Sequence, residues 1–287
     1  MAKLVDALIL DIDGVLIGEK VGYNSPYPHE DVISKLRDLH STGVPVVLCT
    51  GRPNYAIRNI IDRAKLTNPH ITDGGAVIID PISNEIVAKH IMPKNLARSI
   101  LETLVEAGVY VEVYTIDDYY IQKSMVSDIT TRHNHILQRP PKVVKSLVES
   151  SMDLEVTKIG PIALDVQDRE RIATMLNKYG SRASFGWGTH PFALPLQFGY
   201  ITILGSSKKE GAQAVARSIK IPFDKILGVG DSKSDWQFMQ LCGYVGVMSN
   251  GTSDLKELAK TKGKDKYYVG GHVDENGLLK ILSHFSL

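Results

Sequence analysis

Short apolar runs that each end in a polar turn recur along this chain, and they constrain its fold more than any other feature. Three of these runs, at residues 4–10, 44–49 and 225–229, predict buried strands. Apolar residues at helical spacing over residues 29–42 separate the first two, and a second helical pattern follows at 54–64. Strands that alternate with helices in this way predict a parallel sheet with helices on its faces.

The same pattern is interrupted and then resumes. Ala76–Ile79 predicts a third strand, which completes a β-α-β-α-β order in the first part of the chain. Helical spacing returns at Lys209–Ile219, ahead of the strand at 225–229, and again at Asp235–Leu241. The predicted fold class is therefore α/β, with a Rossmann-like parallel-sheet core built from two separated parts of the chain.

The segment between these parts has a different pattern. Val109–Ile121 contains alternating Val, Tyr and Ile residues and predicts a strand or hairpin, whereas Pro93–Ala107 is helical in pattern. These elements predict a separate α+β layer with a mostly antiparallel sheet. We therefore expect a core domain of residues 1–82 and 196–287, with residues 83–195 inserted as a second domain.

Composition and charge exclude several classes of partner. A formal net charge of +1 provides no general attraction for nucleic acid or an anionic membrane. Cys49 and Cys242 have no paired spacing, so neither a zinc site nor a disulfide framework is expected. Charge interrupts the N-terminus within residues 1–6, so we expect no signal peptide, and no segment approaches the roughly 18 apolar residues of a membrane span. We expect a cytoplasmic protein that is a monomer or a small homo-oligomer.

Carboxylates follow two of the three predicted core strands. Asp11 and Asp13 come after the first strand, and Asp231 and Asp235 come after the third. Ligands bind beyond the carboxyl ends of the strands in an open parallel sheet, so these groups are expected to share one crevice. Four carboxylates repel one another unless a cation lies among them, and oxygen-only ligands suit Mg²⁺. The sequence therefore predicts a magnesium site at this edge of the sheet.

Such a site suits phosphoryl transfer. One carboxylate can attack phosphorus, and a second, two residues further on, can protonate the leaving oxygen and later activate water. The Thr50 hydroxyl and the backbone N–H groups at Thr50 and Gly51 can hold phosphate oxygens, and Lys208 or Lys209 can balance their charge. Each motif alone is also an ordinary turn sequence, but their joint occurrence at strand ends favours a functional interpretation.

Four motifs carry a family resemblance. They are Asp11–Val15, Val47–Arg52, Gly205–Glu210 and Gly228–Asp235, followed by closing runs at Val247–Gly251 and Asp274–Gly277. In this order the chain resembles the haloacid dehalogenase superfamily, specifically its Cof-like phosphatases with a large α/β cap, over nearly its full length. The resemblance implies that the inserted domain is a cap, which closes over the substrate, excludes bulk water and selects the leaving group.

The resemblance also implies roles for individual residues. Asp11 would be the nucleophile and Asp13 the general acid/base. Thr50, Gly51 and Lys208 would bind the transferred phosphoryl group.

The implied cofactor is Mg²⁺. It would be held by Asp11, the backbone carbonyl of Asp13 and Asp231, with Asp235 either binding the ion or supporting its ligands.

The chain departs from the family pattern in three places. Ser234 stands where the family usually has Asn, and its shorter side chain would change the hydrogen bonds around the metal ligands. The run Asp73–Ala76 replaces the more usual Asn-Gly-Ala. The third-motif lysine precedes Lys209 instead of Gly, and we prefer Lys208 over Lys209 because the spacing back from Ile219 fits it.

Further residues are interpreted less directly. Arg52 is expected either to contact the phosphate or substrate or to cap its local turn. His190 or Trp187 is expected to contact substrate, since this stretch faces the active site in similar enzymes; the alternative is a cap hairpin turn in which Trp187 is packed. His133–His135 resembles a nuclease signature only by its letters, and we expect an exposed polar helix or loop there.

The leading functional hypothesis is hydrolysis of a small phosphorylated metabolite, with a sugar phosphate as the best candidate. One alternative is a phosphotransferase or phosphomutase that uses the same aspartyl-phosphate. Another is a non-hydrolytic phospho-receiver or binding module, because receivers also use Asp, Thr and Lys on a parallel sheet. The inserted domain disfavours a receiver, which needs an exposed aspartate.

Overall fold

The computed structural model describes residues 4–83 and 85–287. The N-terminal residues 1–3, which entered the prediction that no signal peptide is present, lie outside this range. The strands of the described residues, in chain order, are β1 (Ala7–Leu10), β2 (Val46–Leu48), β3 (His70–Thr72), β4 (Val77–Asp80), β5 (Glu85–Lys89), β6 (Tyr110–Tyr114), β7 (Tyr119–Gln122), β8 (Lys142–Val144), β9 (Lys158–Ala163), β10 (Ala183–Thr189), β11 (Gln197–Ile203), β12 (Ile226–Gly230), β13 (Tyr244–Val247) and β14 (Tyr267–Val269).

The α-helices of the same residues are α1 (Glu30–Ser41), α2 (Arg58–Ala64), α3 (Lys94–Glu106), α4 (Asp128–Leu137), α5 (Leu147–Ser150), α6 (Val166–Leu176), α7 (Lys208–Ser218), α8 (Trp236–Met239), α9 (Ser253–Lys260) and α10 (Leu278–His284). No helix in the described part of the chain combines the length and the apolar composition that crossing a bilayer requires.

The core sheet consists of parallel strands in the order β14-β13-β12-β1-β2. Successive side chains of a strand point to opposite faces, and β1 shows the consequence. Leu8 and Leu10 pack with side chains of α1, α2 and α10, whereas Ala7 and Ile9 pack with side chains of α7, α8 and α9. Helices therefore cover both faces of the sheet, and the predicted α/β fold class is confirmed.

A small antiparallel sheet, in the order β3-β4-β5, extends from the core. The sequence predicted that Ala76–Ile79 would join the parallel sheet, and this prediction is wrong. Gly74 and Gly75 have φ values of +68° and +107°, and they reverse the chain so that β4 returns along β3. Residues with positive φ are strained unless they are glycine, which is why this reversal occurs at a glycine pair.

The inserted segment forms a second sheet, in the order β10-β11-β9-β6-β7-β8. Neighbouring strands run antiparallel except β7 and β8, which are parallel. Side chains of α3, α5 and α6 form a hydrophobic core with one face of this sheet. The other face lies toward the carboxyl ends of the core strands. This mostly antiparallel sheet matches the α+β layer that the sequence predicted.

The sheet pairing moves both predicted domain boundaries. β5 begins at Glu85, beyond the predicted boundary at residue 82, yet it pairs with β4 of the core. β11 begins at Gln197, beyond the predicted boundary at residue 195, yet it pairs with β9 and β10. Sequence alternation alone does not reveal which sheet a strand joins. We propose that the cap extends from about residue 90 to about residue 204.

Candidate active site

The three polar turns that the sequence singled out lie side by side at one edge of the core sheet. Strands β12, β1 and β2 are neighbours and parallel, so their carboxyl ends bring Asp231, Asp11 and Thr50 together. This is the edge at which open parallel sheets bind ligands.

Lys208 connects two of the carboxylates. It is the first residue of α7, and the Ser207 hydroxyl caps this helix by accepting a hydrogen bond from the Lys209 N–H at 3.1 Å. The buried Lys208 ammonium donates to Asp11 Oδ1 at 3.0 Å and to Asp235 Oδ1 at 2.7 Å. Burial opposes its charge, but the two carboxylates outweigh burial and raise the pKa of Lys208 well above its ordinary value. Lys209 is exposed, so of the two adjacent lysines Lys208 is the one that contacts the carboxylates.

Asp11, Asp231 and Asp235 form a buried carboxylate cluster in which one oxygen of each residue lies within 4.8 Å of the others. Gly14 permits this approach, because a Cβ at that position would lie 2.0 Å from Asp231 Oδ2. Burial, together with the charge of Asp235, raises the pKa of Asp11 to about 7. Burial and the same charge also raise the pKa of Asp231. A divalent cation would remove this repulsion, and the oxygen-only donor set fits Mg²⁺.

Both carboxylate oxygens of Asp235 already have partners. Oδ1 accepts from Lys208, and Oδ2 accepts from the backbone N–H groups of Asp231 at 3.0 Å and Ser232 at 2.9 Å. These bonds fix the turn after β12, which carries Asp231. The Ser234 hydroxyl lies 2.9 Å from the Ser232 hydroxyl within this turn. Asp235 is therefore placed to hold the turn that positions Asp231.

Asp13 lies in a second charged cluster, shared between core and cap. Arg52 donates to Asp13 Oδ1 from Nε at 3.0 Å and from Nη2 at 2.6 Å. His190, directly after β10, places Nε2 3.3 Å from the same oxygen. Burial raises the pKa of Asp13, but Arg52 and His190 outweigh burial and lower it below its ordinary value. Burial lowers the pKa of His190 to about 4, so its ring is neutral near pH 7.

The loop after β2 is held by the side chain of its own residue Thr50 and by the turn after β3. Thr50 Oγ1 accepts a hydrogen bond from the Arg52 N–H at 3.1 Å. The Asp73 N–H donates to the Arg52 carbonyl at 2.9 Å, and the Gly74 N–H donates to the Thr50 carbonyl at 3.0 Å. At Gly75, a Cβ would lie 2.1 Å from a backbone carbonyl oxygen just before α7. The unusual run Asp73–Ala76 therefore still supports the loop of the second motif.

A cavity of about 700 Å³, including its opening to solvent, separates Asp11 from the cap sheet. Its cap wall includes Glu112 and Tyr114 on β6 and Lys158 on β9, none of which the sequence singled out. Lys158 Nζ reaches the core, where it donates to the Gly51 carbonyl at 2.7 Å. The available signal was the alternation of Val111 and Val113 with these polar and aromatic residues along β6. That alternation indicates two faces but does not say which one meets the active site.

Two interpretations of the cap sequence need correction. His133 was expected on an exposed helix or loop, but it is buried in α4, with Nδ1 2.8 Å from Glu112 Oε2. It is covered because α4 packs over the cavity face of the cap sheet. Trp187 packs with the hydrophobic core on the opposite face of that sheet, whereas the next residue on β10, Gly188, lines the cavity together with His190. Strand alternation separates the two side chains.

Comparisons with known proteins give the context of this site. The chain is 22% identical over 298 residues to the phosphatase YwpJ of Bacillus subtilis, an alignment that covers 96% of this chain and 98% of the relative. It is 21% identical over 296 residues to the 5-amino-6-(5-phospho-D-ribitylamino)uracil phosphatase YwtE of the same organism, covering 93% and 96%.

Among solved structures, the fold matches the HAD subclass IIB sugar phosphatase BT4131 with a TM-score of 0.79 at 20% identity, covering 98% and 99% of the two chains. It matches SMU.1108c of Streptococcus mutans with a TM-score of 0.80 at 16% identity, with the same coverage. The sequence profile of the haloacid dehalogenase-like hydrolases matches residues 8–282. The predicted resemblance is thus confirmed, and this chain belongs to the haloacid dehalogenase-like hydrolase family.

Proposed function

We propose that this chain is a magnesium-dependent phosphatase that hydrolyses a small phosphorylated metabolite through an aspartyl-phosphate on Asp11. The position of the Asp11 carboxylate carries the proposal. Asp11 lies on the wall of the cavity, 3.0 Å from Lys208 Nζ, in a cluster whose other carboxylates are Asp231 and Asp235. An anionic nucleophile can approach a phosphate only where positive charge surrounds both. Lys208 supplies part of that charge, and a divalent cation held by the carboxylates would supply the rest.

The chemistry divides into two steps. In the first, an Asp11 oxygen forms a bond to phosphorus, the bond from phosphorus to the leaving oxygen breaks, and Asp13 gives that oxygen a proton. In the second, Asp13 takes a proton from water, whose oxygen attacks phosphorus and releases Asp11 together with inorganic phosphate. Asp13 therefore acts first as acid and then as base.

The ion pair between Arg52 and Asp13 has a place in this scheme. Arg52 holds Asp13 ionised, which suits the second step but opposes the first. A bound substrate phosphate would compete for the Arg52 guanidinium, and weakening of the ion pair would raise the pKa of Asp13 toward its acid role. We propose that Arg52 and His190 both contact the substrate from this position.

The remaining roles follow from the contacts. We propose that the Thr50 hydroxyl, the Gly51 N–H and the Lys208 ammonium bind the oxygens of the transferred phosphoryl group.

The family's phosphatases generally use Mg²⁺, and the residues of this chain fit that ion. We propose that it is held by Asp11, Asp231 and the backbone carbonyl of Asp13, with Asp235 holding the turn that carries Asp231. When bound, Mg²⁺ would neutralise charge on the phosphate and on the carboxylates. Because its donor atoms are all oxygens, the site favours Mg²⁺ over softer metals.

A sugar phosphate is the best candidate substrate. One protein of similar fold is named a sugar phosphatase, and others among the relatives are named phosphatases of a ribitylaminouracil phosphate. The cavity of this chain also combines carboxylate, histidine and aromatic side chains, which suit a leaving group with hydroxyl groups.

Two alternatives use the same residues. A phosphotransferase or phosphomutase would form the same aspartyl-phosphate but pass the phosphoryl group to an alcohol. A time course that measures free phosphate and product with and without an added acceptor alcohol separates these enzymes, since a mutase gives an isomer and little phosphate. A phospho-receiver would keep Asp11 phosphorylated without turnover, and the cap over Asp11 disfavours it.

The test is a screen of phosphorylated metabolites with phosphate-release detection, run on wild type and Asp11→Asn. Asn has the size of Asp but is a poor nucleophile, so we expect Asp11→Asn to keep its fold, as measured by circular dichroism, and to release almost no phosphate. Turnover above about 1% of wild type would contradict the nucleophile assignment. EDTA should abolish release and Mg²⁺ should restore it; activity that survives thorough chelation would contradict the metal assignment.

A further inference from the structure

One face of the cap sheet lines the cavity, and a carboxylate lies on it. Glu112 and Tyr114 alternate with Val111 and Val113 along β6, so the two polar residues face the cavity while the valines pack into the cap core. In the register between β6 and β9, Glu112 lies opposite Gly160. The glycine leaves room for the Tyr114 ring, since a Cβ there would lie 3.0 Å from Tyr114 Cε2, and Gly160 itself lines the cavity.

Glu112 is completely buried, and its carboxylate is held by side chains of the cap. Oε2 accepts a hydrogen bond from the Tyr114 hydroxyl at 2.5 Å and lies 2.8 Å from His133 Nδ1. Oε1 accepts from the Tyr110 hydroxyl at 3.2 Å. Burial and the Glu112 charge raise the pKa of Tyr114, so this phenol stays protonated and remains a donor. A carboxylate oxygen accepts two hydrogen bonds, so Oε1 keeps capacity for a donor on a ligand.

The nearest cap lysine is already engaged elsewhere. Lys158 Nζ donates to the Gly51 carbonyl at 2.7 Å, lies 3.7 Å from the centre of the Tyr114 ring, and faces the buried Asp73 carboxylate at 3.8 Å. Its charge is therefore balanced at the junction of cap and core.

Most of the remaining cap wall is apolar, with Ile136, Leu137, Ile162 and Phe198 among its residues. A second anionic group on a substrate would thus meet apolar surface and a buried carboxylate whose neighbouring cation is already paired. Burial of a charge without a partner is costly, and a like charge nearby adds to that cost.

We propose that Glu112, held by the Tyr110 and Tyr114 hydroxyls, is the specificity-determining residue of a leaving-group subsite in the cap, and that this subsite accepts phosphorylated molecules bearing hydroxyl or amino donors but rejects those with a second anionic group. This inference rests on the proposed phosphatase function. It goes further by assigning the selection of substrates to one carboxylate and by excluding phosphocarboxylates and bisphosphates as good substrates.

The first test needs only the wild-type enzyme. Glycerol 3-phosphate and 3-phosphoglycerate differ by a hydroxymethyl group in place of a carboxylate, so they form a matched pair. We expect kcat/KM for glycerol 3-phosphate to exceed that for 3-phosphoglycerate by about tenfold or more, because the carboxylate would be buried near Glu112 without a partner. Glucose 6-phosphate and glucosamine 6-phosphate then show whether a hydroxyl or an ammonium group is the preferred donor. Equal or better hydrolysis of 3-phosphoglycerate would overturn the proposal.

The second test compares Glu112→Gln with Glu106→Gln, a control that removes an exposed carboxylate from α3. Glu112→Gln should narrow the preference between the matched substrates by about fivefold or more, mainly through KM, while Glu106→Gln keeps it. Acetyl phosphate carries no hydroxyl or amino donor, so Glu112→Gln should lower kcat/KM for acetyl phosphate less than it lowers kcat/KM for glycerol 3-phosphate.

Three results separate the possible failures. An unchanged substrate preference in Glu112→Gln would overturn the role of Glu112. An equal loss of kcat/KM on acetyl phosphate and on glycerol 3-phosphate would also overturn it, because such a loss indicates a purely structural carboxylate. If Glu112→Gln does not fold, the wild-type comparison still decides the substrate class. Phosphate release by Asp11→Asn would instead overturn the proposed function and leave the selection among substrates as a separate observation.

Discussion

Two adjacent lysines at the start of α7 differ completely in environment. Lys208 is buried and donates to Asp11 and Asp235, whereas Lys209 extends into solvent. The difference arises because the first residue of a capped helix can turn its side chain back toward the sheet edge, while the next side chain projects about 100° away around the helix axis.

This pair provides a matched test of phosphate binding. Lys208→Met should lower kcat by about 10²–10³, because a donor aimed at the transferred phosphoryl group is lost. Lys209→Met should change kcat little. The measurement is steady-state phosphate release at saturating substrate, with circular dichroism to verify the fold. Equal losses in both variants, or none in Lys208→Met, would contradict the assignment.

At the residue scale, the sequence was informative where a motif is local. Asp11, Thr50 and Asp231 each follow an apolar run directly, so their place at a sheet edge is predictable from the run itself. Glu112 and His133 were not predictable as partners, because they come from different elements whose contact depends on how α4 packs on the cap sheet.

At the element scale, His70 connects strand β3 to strand β2 of the core sheet. It lies on β3, and its Nδ1 accepts a hydrogen bond from the Leu48 N–H of β2 at 3.2 Å. Burial lowers the pKa of His70 to about 3, far below its value in an unfolded chain. Between pH 3 and 6.5 the unfolded chain therefore binds more protons at this residue than the folded chain. Stability that depends on His70 is present above pH 6.5 and falls as the pH drops below it.

His70→Asn keeps an acceptor near the Leu48 N–H but removes the titrating ring. Between pH 7 and pH 5 the wild type should lose about 2 kcal/mol more free energy of unfolding than this variant. Urea denaturation at the two pH values measures the difference. The exposed His90→Asn serves as control and should follow the wild type. Parallel pH dependence of His70→Asn and wild type would show that His70 is not held neutral by burial.

The elements themselves were predictable to different degrees. The strands at the centre of the core sheet were identified from continuous apolar runs, because both of their faces are covered by helices. The pairing of β4 and β5 was missed, because a short strand carries no local sign of its partner. The chain reversal at Gly74 and Gly75 determines that β4 pairs with β3. The sequence shows these glycines but does not show the turn that they form.

At the scale of the whole molecule, core and cap meet around the active site. Arg52 of the core contacts His190 of the cap at 3.2 Å, and Lys158 of the cap donates to the Gly51 carbonyl. The insertion was evident in the sequence because the strand and helix pattern changes and later resumes. The boundaries of the insertion were not evident, because β5 and β11 each pair with a strand on the other side of a predicted domain boundary.

Metal binding should also be visible in global stability. A cation that binds the folded chain alone stabilises it by about 2.7 kcal/mol at a hundred times its Kd. Mg²⁺ should therefore raise the Tm of the wild type by several degrees, and this increase should be lost in Asp231→Asn. Asp224→Asn, which alters an exposed carboxylate, is the control and should keep the response. Differential scanning fluorimetry with and without Mg²⁺ measures it. An equal increase in all three proteins would place the ion elsewhere.

Trapping the phosphorylated enzyme tests whether Asp11 carries the phosphoryl group. Asp13→Asn should still accept phosphate from acetyl phosphate, whose leaving group needs no proton, but should hydrolyse the aspartyl-phosphate slowly. Borohydride reduction after acid quenching converts an aspartyl-phosphate to homoserine, which peptide mass spectrometry locates. We expect homoserine at position 11, and none when Asp11→Asn is added. Homoserine at position 231 or elsewhere, or at no position, would contradict the assignment of Asp11 as the phosphoryl acceptor.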